Sequence, residues 1–202
     1  MEKKFELTEK YVVNELGTKL YQIKCTKTFE YAKKGELGGY IESEVNLSQE
    51  GNAWVSGDAR VSDNAQVYGN ARVAGDARVS DNAQVYGNAE VYGDAWVYDN
   101  AWVSGNARVF GDARVSGNAC LKSDADHCGF DCFGSSNRHT HAYLTSDNTV
   151  EITCGCFRGS IEEFEKKVKN THAGTVYENQ YNAIINVIKI KFGSAQRQNR
   201  QV

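Results

Sequence analysis

The chain has 202 residues, of which 41% are hydrophobic and 24% charged, and its formal net charge is -3. This length suits one ordinary domain or a repeat array with small flanking modules, and the hydrophobic fraction argues against a wholly disordered chain. The weak net charge gives no reason to expect direct binding to nucleic acid or to a membrane surface.

The N-terminus, MEKKFELTEK, is charged and lacks the apolar core of a signal peptide, and no run approaches the roughly 18 apolar residues of a membrane span. We therefore expect a protein that stays in the cytoplasm, where disulfides are rare and the six cysteines are thiols or metal ligands. Proline is absent, so the turns depend on Gly, Asn and Asp.

Residues 1–50 contain two β-rich runs on either side of Leu16-Gly17-Thr18, which predicts a hairpin. The lead-in GELGGYIESEVNLSQEGNAWV then reaches the repeat. Because the end of a solenoid exposes unpaired strand edges, a cap is required there. Residues 1–50 are predicted to be that cap.

The central segment is an internal repeat: GDARVSDNAQVYGNA occurs at 57–71 and again, unchanged, at 75–89, eighteen residues later. From Val55 the chain divides into twelve hexads with Val at the first position, replaced once by Leu121, and with Ala at the fifth. A fixed period of this kind is the signature of a solenoid.

Each hexad alternates so that its Ala and Val point to one side of a short strand. The two residues that follow are Gly-Asn, Gly-Asp or Asp-Asn in nearly every hexad, and these residues tolerate the positive φ of a tight corner. Three strands and three corners close one coil of a triangular prism, so residues eighteen apart lie above one another about 4.8 Å apart.

These hexads resemble the hexapeptide-repeat, left-handed parallel β-helix family, and the match covers residues 51–126. The left-handed sense follows from that resemblance, since most parallel crossovers are right-handed. The predicted fold is mainly β: a left-handed parallel β-helix at 51–126, an N-terminal β-rich cap at 1–50, a small C-terminal α+β module at 127–193 and a disordered tail at 194–202.

Specific function is expected in the outward positions of the repeat, where residues are free to vary. A set of aromatic and arginine side chains at these positions is the candidate interaction surface: Trp96, Trp102, Tyr68, Tyr86, Tyr92, Tyr98, Phe110, Arg60, Arg78 and Arg114. An alternative stays open, in which the aromatics stack only to stiffen the faces and the arginines form a solvated ladder.

Proteins of the hexapeptide-repeat family are frequently acyltransferases, which implies a histidine near a coil face and a loop inserted between coils. Between Val55 and Asp126 the sequence has neither a histidine nor an insertion. These absences argue against an acyltransferase. An acyltransferase-like enzyme stays as the alternative function, together with an enzyme of unknown type in the C-terminal module.

Beyond the repeat, Tyr143-Leu144 and Val150–Ile152 predict two strands around a Ser-Asp-Asn turn. Ser160 followed by Glu163 predicts a capping box that opens a helix. The apolar residues Ile161, Phe164 and Val168 mark the buried side of that helix, and a second helix carries Tyr181, Ile184, Ile185 and Ile188.

The lead-in, the hexads and the stretch CGCFRGSIEEFEKKVKNTH together resemble uncharacterised phage and prophage proteins with a C-terminal CGCF-type module. Ser160 stands where that pattern usually has Thr. The resemblance implies no established activity. It does imply a phage-encoded protein in the cytoplasm of a bacterial host.

The C-terminal module also concentrates soft ligands: Cys128, Cys132, Cys154, Cys156, His127, His139, His141 and His172. A zinc site needs four tetrahedral S or N donors, and C-x3-C and C-x-C are loose matches to the usual spacing. Reduced, partly buried thiols without a cofactor are the preferred interpretation. A third alternative is a nucleophilic Cys154 or Cys156 before a helix, with His172 as base.

From these features we predict a non-enzymatic binding or scaffold protein that presents rigid faces to a protein partner, either a host protein or another copy in a dimer or trimer. The phage resemblance adds a sharper hypothesis. In it, the protein inhibits a host defence component, as an anti-CRISPR or related anti-defence protein does.

Overall fold

A computed structural model of the chain describes residues 3–193, so the predicted tail at 194–202 lies outside the described residues. The chain divides into two compact units, with the division between Asp124 and Ala125. The first unit contains both the N-terminal segment and the repeat. No helix among the described residues has the length and apolar character needed to cross a membrane.

The N-terminal segment folds as an antiparallel hairpin of β1 (Phe5–Val13) and β2 (Lys19–Cys25), followed by β3 (Leu37–Ile41), which pairs with β2. The predicted hairpin is confirmed. In its turn, Asn14 Oδ1 accepts hydrogen bonds from the backbone amides of Leu16 and Thr18 at 3.0 and 2.8 Å. Gly17 adopts a φ of 84°, which favours glycine.

The repeat forms short parallel strands of two residues each, an outward residue followed by an inward Val or Leu. They are β4 (Trp54–Val55), β5 (Arg60–Val61), β6 (Gln66–Val67), β7 (Arg72–Val73), β8 (Arg78–Val79), β9 (Gln84–Val85), β10 (Glu90–Val91), β11 (Trp96–Val97), β12 (Trp102–Val103), β13 (Arg108–Val109), β14 (Arg114–Val115) and β15 (Cys120–Leu121). They begin at six-residue intervals with no inserted loop.

Every strand of the repeat pairs with the strand eighteen residues away, as Trp96 does with Arg78 and Arg114. The resulting sheets run β13-β10-β7-β4, β15-β12-β9-β6 and, on the third side, β5-β8-β11-β14. The predicted β-helix with its column stacking is therefore confirmed. The inward Ala and Val side chains from Ala53 to Ala119 fill the interior and are at most 3% exposed.

The two residues of each corner have different roles. Within the described coils only the first residue adopts a positive φ, as at Gly57 (φ 67°) and Asp63 (φ 57°). The second residue forms side-chain ladders instead: Asn70 Nδ2 donates to Asn88 Oδ1 at 3.1 Å, one coil above. These ladders satisfy polar groups along the prism edge and tie neighbouring coils together.

The N-terminal segment does more than cover the end of the solenoid. β3 pairs in parallel with β5, with Tyr40 opposite Arg60, so the hairpin continues one side of the prism as a seven-stranded sheet, β1-β2-β3-β5-β8-β11-β14. The first coil edge on that side is thereby paired, which is what a solenoid end requires.

The second unit is an antiparallel sheet in the order β16 (His127–Phe133), β17 (Arg138–Leu144), β18 (Val150–Cys154) and β19 (Phe157–Ser160), followed by α1 (Ile161–His172) and α2 (Val176–Gly193). The two predicted strands and both helices are confirmed. So is the capping box, in which Ser160 Oγ accepts from the Glu163 amide at 3.2 Å. The sequence prediction missed the two outer strands, in which apolar and polar residues alternate weakly: most residues of β16 are exposed, and most of β19 are half-buried.

The core of the second unit joins the sheet to both helices through a single set of buried side chains. It contains Ala142, Val150, Ile152, Cys154, Ile161, Phe164, Val168, Tyr181, Ile184, Ile185, Ile188 and Phe192. The predicted apolar positions of both helices all belong to it.

Candidate functional site

The predicted interaction surface is divided among three sides of the prism, each named here by its outward residues. The arginine face has the outward residues Arg60, Arg78, Trp96 and Arg114. The mixed face has Trp54, Arg72, Glu90 and Arg108. The uncharged face has Gln66, Gln84, Trp102 and Cys120. Tyr98 follows a strand of the arginine face, Tyr92 and Phe110 follow strands of the mixed face, and Tyr68 and Tyr86 follow strands of the uncharged face. Trp96 and Trp102 thus lie on different faces.

The arginine face is a column in which a tryptophan separates two like charges. The guanidinium of Arg78 lies 4.8 Å and that of Arg114 5.1 Å from the centroid of the Trp96 ring. Each contact is a favourable cation–π interaction. The column therefore combines its arginines with two cation–π contacts to Trp96.

The turn of the β1–β2 hairpin lies beside the arginine face and borders a cleft of about 240 Å³. Glu15 Oε1 accepts a hydrogen bond from Arg78 Nη1 at 2.6 Å. A backbone hydrogen bond and this contact with Arg78 lower the pKa of Glu15. The lining of the cleft also includes Asp63, Asp81 and Arg60, so carboxylates and guanidinium groups are mixed there and the cleft does not select a ligand of one sign.

Several side chains of the mixed face have partners within the protein, although Phe110 is 52% exposed. Trp54 is only 2% exposed and meets Phe29 edge to face at 5.4 Å. The ring of Tyr92 stacks on Phe110 at 5.4 Å. Stacking within a column thus explains part of the predicted aromatic surface.

The uncharged face combines aromatic exposure with an absence of charge in its outward column from Gln66 to Cys120. The rings of Tyr68 and Tyr86 are parallel, with centroids 4.9 Å apart, and Tyr68 Oη donates to Gln84 Oε1 at 3.0 Å. Trp102 is 46% exposed and has no aromatic or cationic ring partner within residues 3–193. It is the aromatic side chain on this face that the protein leaves available.

The histidines and cysteines of the second unit do not form one cluster. The rings of His127 and His139 each lie beside that of His141, with centroids 5.1 and 5.6 Å apart. His127 Nδ1 and His141 Nε2 share a buried hydrogen bond of 2.9 Å, and His139 Nδ1 contacts Asp131 Oδ1. Burial raises the pKa of the Cys128 thiol to about 11. In the part of the chain that the structure describes, no three His, Cys, Asp or Glu side chains are placed to hold a metal ion. A metal-free, reduced module stays a prediction.

Cys154, Cys156 and His172, the nucleophile and base of the third alternative, border one pocket of about 220 Å³. None of the hydrogen bonds within residues 3–193 joins either thiol to His172. The Cys154 sulfur accepts instead from Thr140 Oγ1 at 3.3 Å and lies 3.8 Å from Tyr181 Oη. The pocket thus brings these residues to one place without pairing thiol and base.

Comparison with known proteins identifies the repeat. Residues 65–81, 83–99 and 101–117 each match the family model described as the YdcK beta solenoid repeat. The three matches start eighteen residues apart, which is the length of one coil. No curated protein matches the chain. The chain is a repeat β-solenoid protein.

Proposed function

We propose that this protein is a non-enzymatic binding or scaffold protein whose uncharged face contacts a protein partner. The observation that carries the proposal is the exposed Trp102 ring on the same face as the stacked Tyr68 and Tyr86 rings. The outward column of that face, Gln66, Gln84, Trp102 and Cys120, has no charged residue. The buried centres of protein interfaces are enriched in Trp and Tyr and depleted of charged side chains.

The backbone of this face is rigid, which favours association. The Trp102 amide donates to the Ala119 carbonyl at 2.8 Å and the Gln84 amide to the Ala101 carbonyl at 2.9 Å, so each strand is fixed to the next coil. Little ordering entropy is then lost on binding. The interior is filled by Val and Ala and leaves no space for a ligand, so a partner must contact the outside of the prism.

The partner in this proposal is a bacterial host protein or a second copy of the chain. The resemblance of the lead-in, hexads and C-terminal stretch to phage and prophage proteins supports a narrower form, in which the bound host protein is a defence component and binding inhibits it. If the narrower form holds, a phage that carries the Trp102→Gln variant is no longer protected from the host defence.

The test replaces Trp102 with Gln and compares it with Trp96→Gln, a matched change on the arginine face. Loss of an aromatic at an interface centre costs on the order of 2 kcal/mol or more, about a thirtyfold loss of affinity. We expect Trp102→Gln to lower the assembly mass in sedimentation, or the affinity for a partner captured from the host, while circular dichroism stays unchanged. Equal binding by the parent and Trp102→Gln, or equal losses in both variants, would contradict the proposal.

A further inference from the structure

The pocket in the second unit has the lining of a binding site for a small anion. It lies between the loop after β16, the β18–β19 turn and the helices α1 and α2, and has a volume of about 220 Å³. Arg138, Lys167 and His172 line it, and none of its lining residues within 3–193 is Asp or Glu. Apolar walls with a few convergent polar groups are typical of small-molecule sites.

The two permanent cations of the pocket have no carboxylate partner among the described residues. Arg138 and Lys167 form no ion pair within residues 3–193. The nearby carboxylates of α1 are engaged elsewhere: Glu163 Oε2 accepts from the Ser160 amide at 2.8 Å, and Glu165 Oε1 pairs with Lys189 at 2.6 Å. The charge that the pocket offers to a ligand is therefore positive.

Arg138 packs against the backbone of the β18–β19 turn. Gly155 has a φ of 60°, and a Cβ at this position would lie 2.4 Å from Arg138 Nη1. The guanidinium therefore rests directly against the glycine backbone. The preceding loop is held as well, since the Gly134 amide donates to Gln180 Oε1 on α2 at 3.0 Å.

Lys167 and His172 come from the last turns of α1, where the helix dipole alone would disfavour an anion. The His172 carbonyl, however, accepts hydrogen bonds from the Thr175 amide at 3.0 Å and from Thr175 Oγ1 at 2.7 Å. The two full positive charges of Arg138 and Lys167 outweigh the negative charge of about one half at the helix end, so the potential at the pocket is positive.

The remaining walls are apolar or carry hydroxyl groups. Phe164 and Tyr181 meet edge to face at 5.6 Å, and His172 stacks on Tyr181 at 5.4 Å. Ser135 and Thr171 supply hydroxyl donors at the lining. A ligand that matches this lining has an anionic group for the cations and an apolar ring for the aromatic walls.

We propose that this pocket binds a small organic anion in which a phosphate or carboxylate is attached to an aromatic ring. Arg138 and Lys167 contact the anionic group, and Phe164 and Tyr181 contact the ring. Both anionic groups share this chemistry because a guanidinium donates two parallel hydrogen bonds to either one. The site is separate from the uncharged face of the solenoid and does not depend on the function proposed for that face.

The test titrates the full chain by calorimetry with phenyl phosphate and with benzoate, which distinguishes phosphate from carboxylate. Phenol and inorganic phosphate serve as half-ligands that lack the charge or the ring. We expect one site per chain, tighter for at least one of the complete probes than for both half-ligands, and weakened by added salt. Absence of binding by both complete probes up to about 10 mM would overturn the proposal.

Three variants connect the binding to the pocket. Lys167→Gln and Arg138→Gln each remove one charged contact and are expected to weaken binding roughly tenfold. Lys166→Gln makes the same charge change one residue away on α1, outside the lining, and is expected to bind like the parent. Lys167 is exposed, so its substitution leaves the core intact. Parent-like binding by Lys167→Gln, or an equal loss in Lys166→Gln, would show that the probe binds elsewhere.

Discussion

At the scale of single residues, Lys4 shows how the N-terminal segment is attached to the first coil. Its side chain is fully buried, and its Nζ donates to the carbonyls of Ala53 at 2.8 Å and Glu50 at 3.3 Å. The Lys4 amide donates to Gln49 Oε1 at 2.7 Å. A buried cation of this kind is tolerated because backbone carbonyls surround it.

We expect Lys4→Met to lower the free energy of unfolding by about 1–3 kcal/mol, because it leaves buried carbonyls without a donor. Chemical denaturation measures this loss. Lys3→Met is the matched control: Lys3 is exposed and pairs with Glu44 at 2.7 Å, and such surface pairs contribute about 0–1 kcal/mol. A Lys4 variant as stable as the Lys3 variant would contradict this account.

The Lys4 contribution also depends on pH. Burial lowers the pKa of Lys4 from 10.5 to about 8, so between these values the unfolded chain holds a proton that the folded chain has lost. Stability therefore rises with pH across this window. The stability difference between the parent and Lys4→Met is expected to grow from pH 8 to 10.

At the scale of elements, the unit of the fold is the coil of eighteen residues and not the hexad. Several contacts between coils depend on the eighteen-residue register. They are the Asn ladder at the corners, the hydrogen bond from the Asp81 amide to Asp63 Oδ2 at 3.3 Å, and the stacking of arginines on Trp96. Removing one whole coil keeps every column in line. Removing one hexad moves each later strand to the next side of the prism.

We therefore expect deletion of residues 57–74 to give a folded, shorter protein with a melting temperature near that of the parent. Deletion of residues 57–62 removes fewer residues but should lower the melting temperature more, because β3 then no longer continues the arginine face. Circular dichroism melts compare the two. Equal melting temperatures would mean that the outward columns and corner ladders contribute little.

At the scale of the whole molecule, the two units have separate cores. The solenoid interior is a stack of Ala and Val, whereas the second unit buries aromatic and aliphatic side chains between a sheet and two helices. Stability need not be uniform across such a chain, because each compact unit can open separately.

Ile188→Ala should lower the protection of amides in residues 125–193 against hydrogen exchange, while the amides of the solenoid keep theirs. Ile188 is fully buried, and truncating such a side chain costs about 2–5 kcal/mol. Ile190→Ala, on the same helix but 69% exposed, is expected to change little. A loss of protection that extends through both units would show that they unfold as one.

The sequence by itself determined the solenoid, because each hexad repeats the same pattern of inward Val or Leu, corner residues and inward Ala. Ala and Val lie two residues apart and alternate with outward residues, which is the pattern of a short strand. The corner that follows each strand from β4 to β14 begins with a Gly or Asp of positive φ, as at Gly57 and Asp63. The capping box of Ser160 and Glu163 was predictable for the same reason. These features depend on interactions within a few residues, or on the exact repetition of those residues.

Only the tertiary structure decided which outward residues remain available. Trp54, Trp96 and Trp102 occupy equivalent places in their hexads, yet Trp54 is buried under Phe29 and Trp96 lies between two guanidinium groups. Trp102 is the one left without a ring partner in the described part of the chain. The basic pocket likewise joins Arg138, Gly155 and Lys167. Both outcomes depend on contacts between residues that are distant in sequence, and such contacts leave no local pattern.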